Sequence, residues 1–593
     1  MIDLRAINLR SAVDGRIQMT CERYLLVAMA TACALVLLQA FSPATASDER
    51  VANKAPRLIL QITVDALRGD LPGRFAHVLG EGGFRYLQQG VNYTNAHYQH
   101  ATTETIVGHV SLATGTVPAA HGMVANLWFD RGEGRLMYNI EDADYHLLSA
   151  NSDVDKSTEI DPTQKAAKVD GRSPRAILST TFSDELAAHY AGKSKIFGVS
   201  IKDRGAVSLA GHAGKAFWFS KASGEFVTSN YYYDAYPQWV LDWNAAKLPQ
   251  VYAGKSWELA HKPEMYLFGD ADDREWETDF PGFGRTFLHP YGAGDDKYFT
   301  TRLTMAPAGD ELTLDFAKTL LDAEKLGQDD VPDYLSVSFS STDYVGHIFG
   351  PSSLESEDNI AHLDRSLADL FAYVDKMVGL ENTLIVLSAD HGQPEIPGYL
   401  HSLGIQSAGY FNPKELDKAP AIAVLEKRFG VGEEIIENFF QPYLYLNREL
   451  IQSKGLNQAE VEKVLAGELE KFPGVAKAVS SIALRTAALP DTELMRKILN
   501  NYHPRRSGDI YLVFEPYVYI NDFDGLIVAA THGAPWRYDS FVPVMFAGAG
   551  LKPATISRAI TPYDVAPTLA NYLGVKQPSA AIGVPLVEVL ENQ

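Results

Sequence analysis

Short runs of apolar residues that lead into polar side chains recur along this sequence. Four such runs occupy residues 57–64, 195–201, 334–340 and 383–388. Continuous apolar runs of this length predict strands that are buried on both faces, which is typical of a parallel sheet covered by helices. Between them, residues 358–378 and 457–472 have apolar positions at helical spacing. The pattern therefore predicts an α/β fold with a mostly parallel central sheet flanked by helices.

Two segments interrupt this alternation. Residues from about 216 to 300 are rich in Trp, Tyr, Asp and Gly, and we interpret them as a loop-rich insertion. Residues from about 400 to 510 have the pattern of a second α/β or α+β insertion. No repeat of 20–50 residues and no low-complexity linker divides the sequence. We therefore expect one catalytic domain, residues 47–593, in which both insertions act as cap elements.

The first 46 residues have the pattern of a secretory signal peptide. A stretch with four arginines is followed by an apolar run over residues 25–40 and by an A-x-A cleavage site at residues 44–46. The apolar run is shorter than the roughly 20 residues of a membrane-spanning helix. The pattern predicts a cleaved Sec-type signal and a periplasmic or secreted protein. An uncleaved N-terminal anchor and a translation start at Met19 are the alternatives.

Both cysteines, Cys21 and Cys33, lie in this segment. Lipidation of Cys33 is an alternative, but apolar sequence continues beyond it. A mature chain without cysteine has no disulfide, no thiolate nucleophile and no Cys-ligated zinc.

The formal charge is −22, and removal of the first 46 residues, which carry +1, leaves −23. This charge argues against binding to nucleic-acid polymers, and it requires a local positive site to attract any anionic substrate.

Six residues with oxygen or nitrogen ligand atoms follow the predicted strands or lie on short turns. They are Asp65, Asp343, His347, Asp390, His391 and His532. Each alone has an ordinary explanation, since an Asp after a strand usually caps a helix. Together they form a set of three carboxylates and three imidazoles near strand ends, where open α/β sheets bind ligands. Such a set suits zinc, and a close pair of dications suits phosphoryl transfer.

Five motifs, in their order, resemble the alkaline phosphatase superfamily. They are Val-Asp65-Ala-Leu-Arg, Thr105-Ile-Val-Gly-His, Asp343 to His347, Asp390-His391-Gly and His532-Gly. The set is most similar to the branch shared by phosphodiesterase/nucleotide pyrophosphatases and phosphate-irrepressible bacterial alkaline phosphatases, from about residue 56 to the end. The resemblance implies an alkaline phosphatase-like fold and two zinc ions per chain. One zinc would be held by Asp343, His347 and His532, and the other by Asp65, Asp390, His391 and the Thr105 oxygen.

The resemblance makes Thr105 the nucleophile and implies a phosphothreonine intermediate. A threonine hydroxyl is a weak nucleophile that needs activation, for example by metal coordination. Helix-compatible apolar sequence follows Thr105, so we expect it to begin a helix whose N–H groups face the phosphoryl oxygens. Thr102 and Thr103 are the rivals, but neither has Gly-His three and four residues downstream.

Lys202 and Arg204 indicate a monoester substrate. They resemble the Lys-x-Arg pair of the phosphate-irrepressible monoesterases, and a point charge beside a guanidinium fork would bind the extra anionic oxygen of a monoester. Asn126 fits the family's amide that donates to a phosphoryl oxygen, although Leu127 stands where the family more often has a second Asn. We therefore expect an exported alkaline phosphatase for small-molecule phosphate monoesters, monomeric and without stable membrane association.

Two other functions remain open at this point. A phosphodiesterase or nucleotide pyrophosphatase would use the same metal site, and the aromatic segment 217–243 could hold a base. An inactive binding homologue is the non-enzyme alternative, but such a protein would be expected to have lost metal-ligand residues.

A sulfatase needs a Cys or Ser that becomes formylglycine, and the phosphoglycerate mutases of this superfamily use Ser. Thr105 argues against both of these relatives.

Overall fold

A nine-stranded sheet forms the centre of the computed structural model, which describes residues 55–418 and 420–592. Numbered in chain order, the strands of its two largest sheets are β1 Leu58–Val64, β2 Val91–His97, β3 Ile196–Ser200, β4 Lys215–Ser220, β5 Glu225–Val227, β6 Asp333–Phe339, β7 Thr383–Ser388, β8 Ile436–Phe440, β9 Tyr443–Leu446, β10 Val475–Ser480, β11 Ile510–Phe514, β12 Phe541–Gly548 and β13 Ala554–Ile556. The large sheet has the order β13-β2-β12-β7-β1-β6-β3-β4-β5. Only β12 and β5 oppose their neighbours, so the described sheet is mostly parallel, as predicted.

The four predicted strands lie side by side at the centre of this sheet. They are β7, β1, β6 and β3, and each boundary lies within one residue of the predicted one. Every residue of these strands is buried. In the register of the sheet, Val64 at the end of β1 pairs with Phe339 at the end of β6, so the strands end at a common edge.

Helices cover both faces of the sheet. Those of eight or more described residues are α1 Thr105–Thr114, α2 Phe182–His189, α3 Asp203–Ala210, α4 Gln238–Ala245, α5 Pro307–Ala323, α6 Ser341–Phe349, α7 Leu354–Met377, α8 Pro420–Phe429, α9 Gln458–Leu469, α10 Glu493–Asn501 and α11 Val565–Leu573. The helices predicted over 358–378 and 457–472 correspond to α7 and α9.

Successive residues of β1 point to opposite faces of the sheet. Leu60 belongs to an apolar cluster that includes Phe316 of α5 and Leu367 of α7. Ile59 belongs to a second cluster that includes Leu569 of α11. Burial on both faces explains why the sequence of this strand is continuously apolar.

The two segments interpreted as caps differ in structure. Strands β8 to β11 form a four-stranded sheet in the order β8-β9-β11-β10, and its core includes residues of α8 and α9. The other segment, from about residue 216, begins with β4 and β5 of the large sheet, and its loop-rich part follows Val227.

The proposed signal peptide lies outside the described residues. Among the helices that the structure describes, none has the length and apolar character needed to cross a bilayer.

Candidate active site

The predicted ligand residues meet at the edge where the central parallel strands end. Asp65 follows β1 directly, and Asp390 lies two residues after β7. Helix α6 begins two residues after β6 and carries Asp343 and His347. Because β12 runs in the opposite direction, His532, which precedes it, reaches the same edge.

These side chains form two clusters, in each of which the ligand atoms lie within 4.8 Å of one another. One cluster consists of Asp343, His347 and His532, and the other of Asp65, Asp390 and His391. The clusters adjoin, since the rings of His391 and His532 stack with their centroids 3.7 Å apart. For these six residues, the grouping is the one that the resemblance implied.

Each imidazole in the two clusters is fixed by a hydrogen bond from Nδ1 to a backbone carbonyl oxygen. The pairs are His347 with Ala530 at 2.7 Å, His391 with Gly392 at 2.9 Å and His532 with Thr103 at 2.8 Å. A carbonyl oxygen only accepts, so Nδ1 carries a proton, and in the neutral ring Nε2 presents a lone pair to the cluster. Histidines that bind metals are held in this way.

Several atoms of the clusters are buried without a hydrogen-bond partner among the described residues. They include Asp65 Oδ1, Asp343 Oδ1 and His391 Nε2. Buried polar atoms are normally paired, because leaving them unpaired costs free energy. Carboxylate oxygens and neutral imidazole nitrogens that converge in this way are the donors that zinc takes. The residues present therefore fit a pair of metal ions.

Burial strongly affects the pKa values of several side chains in the two clusters. Burial and the nearby Asp390 raise the pKa of Asp65 well above its usual range. Burial also opposes ionisation of Asp343, but His347 and Lys202 outweigh it and hold the pKa of this carboxyl well below its usual range. Burial lowers the pKa of His391 to about 3, so its imidazole is neutral and able to bind a metal.

Lys202 lies between the two clusters. Its ammonium nitrogen is 2.7 Å from Asp65 Oδ2 and 2.5 Å from Asp343 Oδ2. The side chain is buried, so this cation partly neutralises two carboxylates that would otherwise repel each other.

Arg204 reaches Thr105. Its Nη2 donates to Thr105 Oγ1 at 3.1 Å, and its Nη1 donates to Asp161 Oδ2 at 2.8 Å. The intervening Asp203 bonds elsewhere, to the hydroxyl of Tyr138. Lys202 and Arg204 thus both reach residues of the candidate site.

Thr105 is the first residue of α1 and is fully buried. The two rival hydroxyls are engaged elsewhere. Thr102 Oγ1 hydrogen-bonds to the hydroxyl of Tyr511 at 2.8 Å, and Thr103 Oγ1 donates to the carbonyl of Ala534 at 2.8 Å. The positions of the three hydroxyls therefore favour Thr105 over Thr102 and Thr103 as the candidate nucleophile.

Gly108 and His109 explain why the motif after Thr105 has this form. A Cβ at Gly108 would lie 1.9 Å from the carbonyl oxygen of Asp390, so α1 packs directly on the backbone there. His109 Nδ1 lies 2.8 Å from the Thr105 carbonyl oxygen and 3.1 Å from Asp390 Oδ2. Its Nε2 is 2.9 Å from Ser338 Oγ, which fixes the ring between α1 and β6.

Asn126 lies at the N-terminus of α1. Its Oδ1 accepts from the backbone N–H of Ile106 at 3.1 Å, so the Nδ2 hydrogens are the donors it can present to a ligand. Leu127, at the position where the family more often has Asn, is buried in an apolar cluster.

Two further residues at the site were not identified from the sequence. Asp161 holds Arg204 but stands in no recognisable motif. Glu104 accepts a hydrogen bond from the backbone N–H of Asn126, and burial raises its pKa to about 7. The carboxylate between Thr103 and Thr105 was visible in the sequence, but its burial was not.

A cavity of about 340 Å³ lies in front of the site. Its lining includes Asn126, Arg204, Asp343, His347 and His532, together with Phe439, Phe440 and Phe523.

The aromatic segment 217–243 contributes no ring to the lining of this cavity. Instead, the rings of Phe217, Phe226 and Trp243 pack against Phe316, with centroids 5.5, 4.0 and 5.4 Å apart. These rings are therefore not placed to hold a nucleotide base in this cavity.

Comparison with known proteins agrees with this fold. The family model for type I phosphodiesterase / nucleotide pyrophosphatase matches residues 59–534. The chain is 34% identical to alkaline phosphatase PhoV of Synechococcus elongatus over 540 residues, which cover 90% of this chain and 93% of PhoV. It is also 34% identical to alkaline phosphatase PafA of Elizabethkingia meningoseptica over 544 residues, or 90% and 94% of the two chains. The crystal structure of wild-type PafA superposes with a TM-score of 0.81 at 33% identity, covering 90% of this chain and 99% of PafA. The chain belongs to the type I phosphodiesterase/nucleotide pyrophosphatase family, within the alkaline phosphatase superfamily.

Proposed function

We propose that this protein is an alkaline phosphatase that hydrolyses phosphate monoesters at a two-zinc site through a phosphothreonine at Thr105. The observation that carries the proposal is the contact of Lys202 and Arg204 with the residues around the nucleophile. The similarity to PhoV and PafA, both named alkaline phosphatases, supports the same activity.

The two clusters would hold the metal ions in the grouping described above. When bound, two zinc ions would supply charge that stabilises the attacking and leaving oxygens of an in-line displacement. The imidazoles whose Nε2 is directed into each cluster suit this role.

The protein's own residues would bind and orient the phosphoryl group. Thr105 Oγ1 attacks phosphorus, the bond from phosphorus to the alcohol oxygen breaks, and the alcohol leaves. Water then hydrolyses the phosphothreonine and releases inorganic phosphate. Arg204, 3.1 Å from Thr105 Oγ1, and the Nδ2 hydrogens of Asn126 would stabilise the charge on the equatorial oxygens.

Selection of a monoester would come from Lys202 and Arg204. A monoester has one more anionic oxygen than a diester, and a buried ammonium and guanidinium provide charge for it. A diester would leave that charge less well matched and would require space for a second ester group.

The proposal is tested by comparing p-nitrophenyl phosphate with bis-p-nitrophenyl phosphate. Wild type should prefer the monoester. Because hydrogen bonds to charged groups contribute about 2 kcal/mol each, Lys202→Ala/Arg204→Ala should lower kcat/KM for the monoester about a thousandfold, and for the diester far less. The matched control, Lys471→Ala/Arg428→Ala, removes the same two residue types from the surface and should change neither. A wild-type preference for the diester would contradict the proposal.

We further propose that the protein is exported, with cleavage after residue 46, and that it acts as a monomer. Residues of β8 line the cavity, which supports a cap role for the segment from about 400 to 510. Cleavage is tested by N-terminal sequencing of the protein from its native host, and the monomer by light scattering.

A further inference from the structure

Three phenylalanine side chains that line the cavity, together called the aromatic wall, do not belong to the machinery described above. Phe439 and Phe440 end β8, and Phe523 lies on the short hairpin that pairs Asp522–Phe523 with Leu526–Ile527. The three rings are partly exposed and line the same cavity as Arg204 and His532. We infer that this aromatic wall binds the alcohol portion of the substrate, and that it selects monoesters of aromatic alcohols without a second anionic group. The inference rests on the proposed monoesterase function.

The position of the wall agrees with the direction in which the alcohol leaves. The ring of Phe523 lies 5.0 Å from the ring of His347, edge to face. His347 and His532 line the cavity, whereas Asp65 and His391 are fully buried. In-line displacement places the leaving group on the side of phosphorus opposite the nucleophile. A phosphoryl group held between Thr105 and the cavity would direct its alcohol towards Phe523.

The chemistry of the wall favours an aromatic ring. Aromatic pairs gain about 0.5–1.5 kcal/mol beyond the burial of their area. A cavity of about 340 Å³ lies at the small end of the range for ligand pockets, so it suits one compact ring with its phosphate. The rings come from β8 and from the hairpin, two segments distant in sequence that both contribute apolar surface to this cavity.

The charges around the cavity disfavour a second anionic group. Asp522 and Asp524 are exposed on the same hairpin as Phe523, and Asp161 lies deeper. Arg204 is the only lysine or arginine among the described residues that line the cavity, and it is already paired with Asp161. The ammonium nitrogen of Lys165 lies 3.6 Å from Asp524 Oδ2 and offsets only part of the negative charge of Asp522 and Asp524. A carboxylate or second phosphate on the alcohol would therefore meet like charge.

The first test compares 2-phenylethyl phosphate with ethyl phosphate, whose leaving alcohols have similar acidity. We expect wild type to have at least a tenfold higher kcat/KM for the phenyl compound. Phe523→Ala and Phe439→Ala should each lower this ratio about tenfold. Ile527→Ala is the matched control, because Ile527 is 56% exposed on the same hairpin but does not line the cavity. A wild-type ratio near one, or an unchanged ratio in both Phe variants, would overturn the inference.

The second test isolates the effect of a negative charge on the alcohol portion of the substrate. We compare 4-(carbamoylmethyl)phenyl phosphate with 4-(carboxymethyl)phenyl phosphate, in which a methylene separates the changed group from the reacting oxygen. Wild type should prefer the neutral amide at least fivefold, and Asp522→Asn/Asp524→Asn should bring the two values of kcat/KM to within twofold. Equal turnover of both compounds by wild type would overturn the exclusion of anionic alcohols.

A binding measurement separates this inference from the proposed function. Calorimetry with zinc-loaded wild type should give at least a tenfold tighter Kd for 3-phenylpropylphosphonate than for propylphosphonate, and Phe523→Ala should remove the difference. If both phosphonates bind equally while both monoesters are hydrolysed, the inference fails and the proposed function stands. If neither monoester is hydrolysed while bis-p-nitrophenyl phosphate is, the proposed function fails, and the phosphonates alone decide whether the wall binds an aromatic group.

Discussion

The contact between Gly108 and Asp390 gives a sharp test of how the nucleophile is positioned. A Cβ added at Gly108 would lie 1.9 Å from the carbonyl oxygen of Asp390, about 1.5 Å closer than the 3.4 Å at which ordinary contact begins. The carbonyl carbon and Cα of Asp390 would also lie at 2.5 and 2.6 Å. Because all three are backbone atoms, no side chain can rotate away to make room.

Gly108→Ala must therefore separate α1 from the loop that carries Asp390 and His391. Either Thr105 moves away from the metal ligands or the ligands move away from each other. A misplacement of about 1 Å can cost a hundredfold in rate, and overpacking typically costs 1–3 kcal/mol of stability. We expect kcat/KM for p-nitrophenyl phosphate to fall about a hundredfold and the thermal midpoint to fall by several degrees.

Gly467→Ala is the matched control for this change. Gly467 lies within α9, and an added Cβ there would meet no atom within 4 Å. Since Ala is favoured over Gly inside a helix by about 1 kcal/mol, this variant should keep full activity and be equally or more stable. The reasoning is refuted if Gly108→Ala keeps kcat/KM within threefold of wild type.

Three further predictions follow from the site and its surroundings. Thr105→Ala should keep the metal content of wild type, measured by atomic emission, but lose turnover. Thr102→Val should keep turnover. Near wild-type activity of Thr105→Ala would refute the assigned nucleophile. Chelation should abolish turnover and lower the thermal midpoint, since ligand binding adds about 4 kcal/mol at a thousandfold excess over Kd, and zinc should restore both; activity that survives exhaustive chelation contradicts the two-metal site. Burial raises the pKa of Asp310 to about 7, so the folded protein favours the protonated form and loses stability as the pH rises from about 4 to 7, and Asp310→Asn should remove up to about 4 kcal/mol of this loss. Urea midpoints of wild type and Asp310→Asn that change in parallel over that pH range would contradict it.

Several elements of the fold could be predicted from the sequence because each is indicated by a short stretch of consecutive residues. The runs that became β1, β3, β6 and β7 are continuously apolar, since helices cover both faces of the sheet, and this pattern can be read without knowing which strands pair. The helix after Thr105 was likewise predicted from its own composition.

Other features depend on which distant segments meet. Lys202 was predicted to bind a phosphoryl oxygen, and only the placement of β3 beside β6 shows that its ammonium lies between Asp65 and Asp343. Asp161 is an unremarkable loop residue in the sequence, yet it holds Arg204. The aromatic residues of the segment 217–243 suggested a binding surface, but Phe217 and Trp243 lie in the core against Phe316.

By itself, then, the sequence determined the class of fold, the strand ends that carry the ligand residues and the chemistry that those residues permit. These follow from composition over a few consecutive positions and from motifs whose members lie close together. Only the tertiary structure decided that α1 packs on the backbone of Asp390, that each imidazole directs Nε2 into a cluster and that Phe439 and Phe523 line one cavity. The physical reason is that these contacts join residues far apart in the chain, and their distances are set by strand order, register and helix packing.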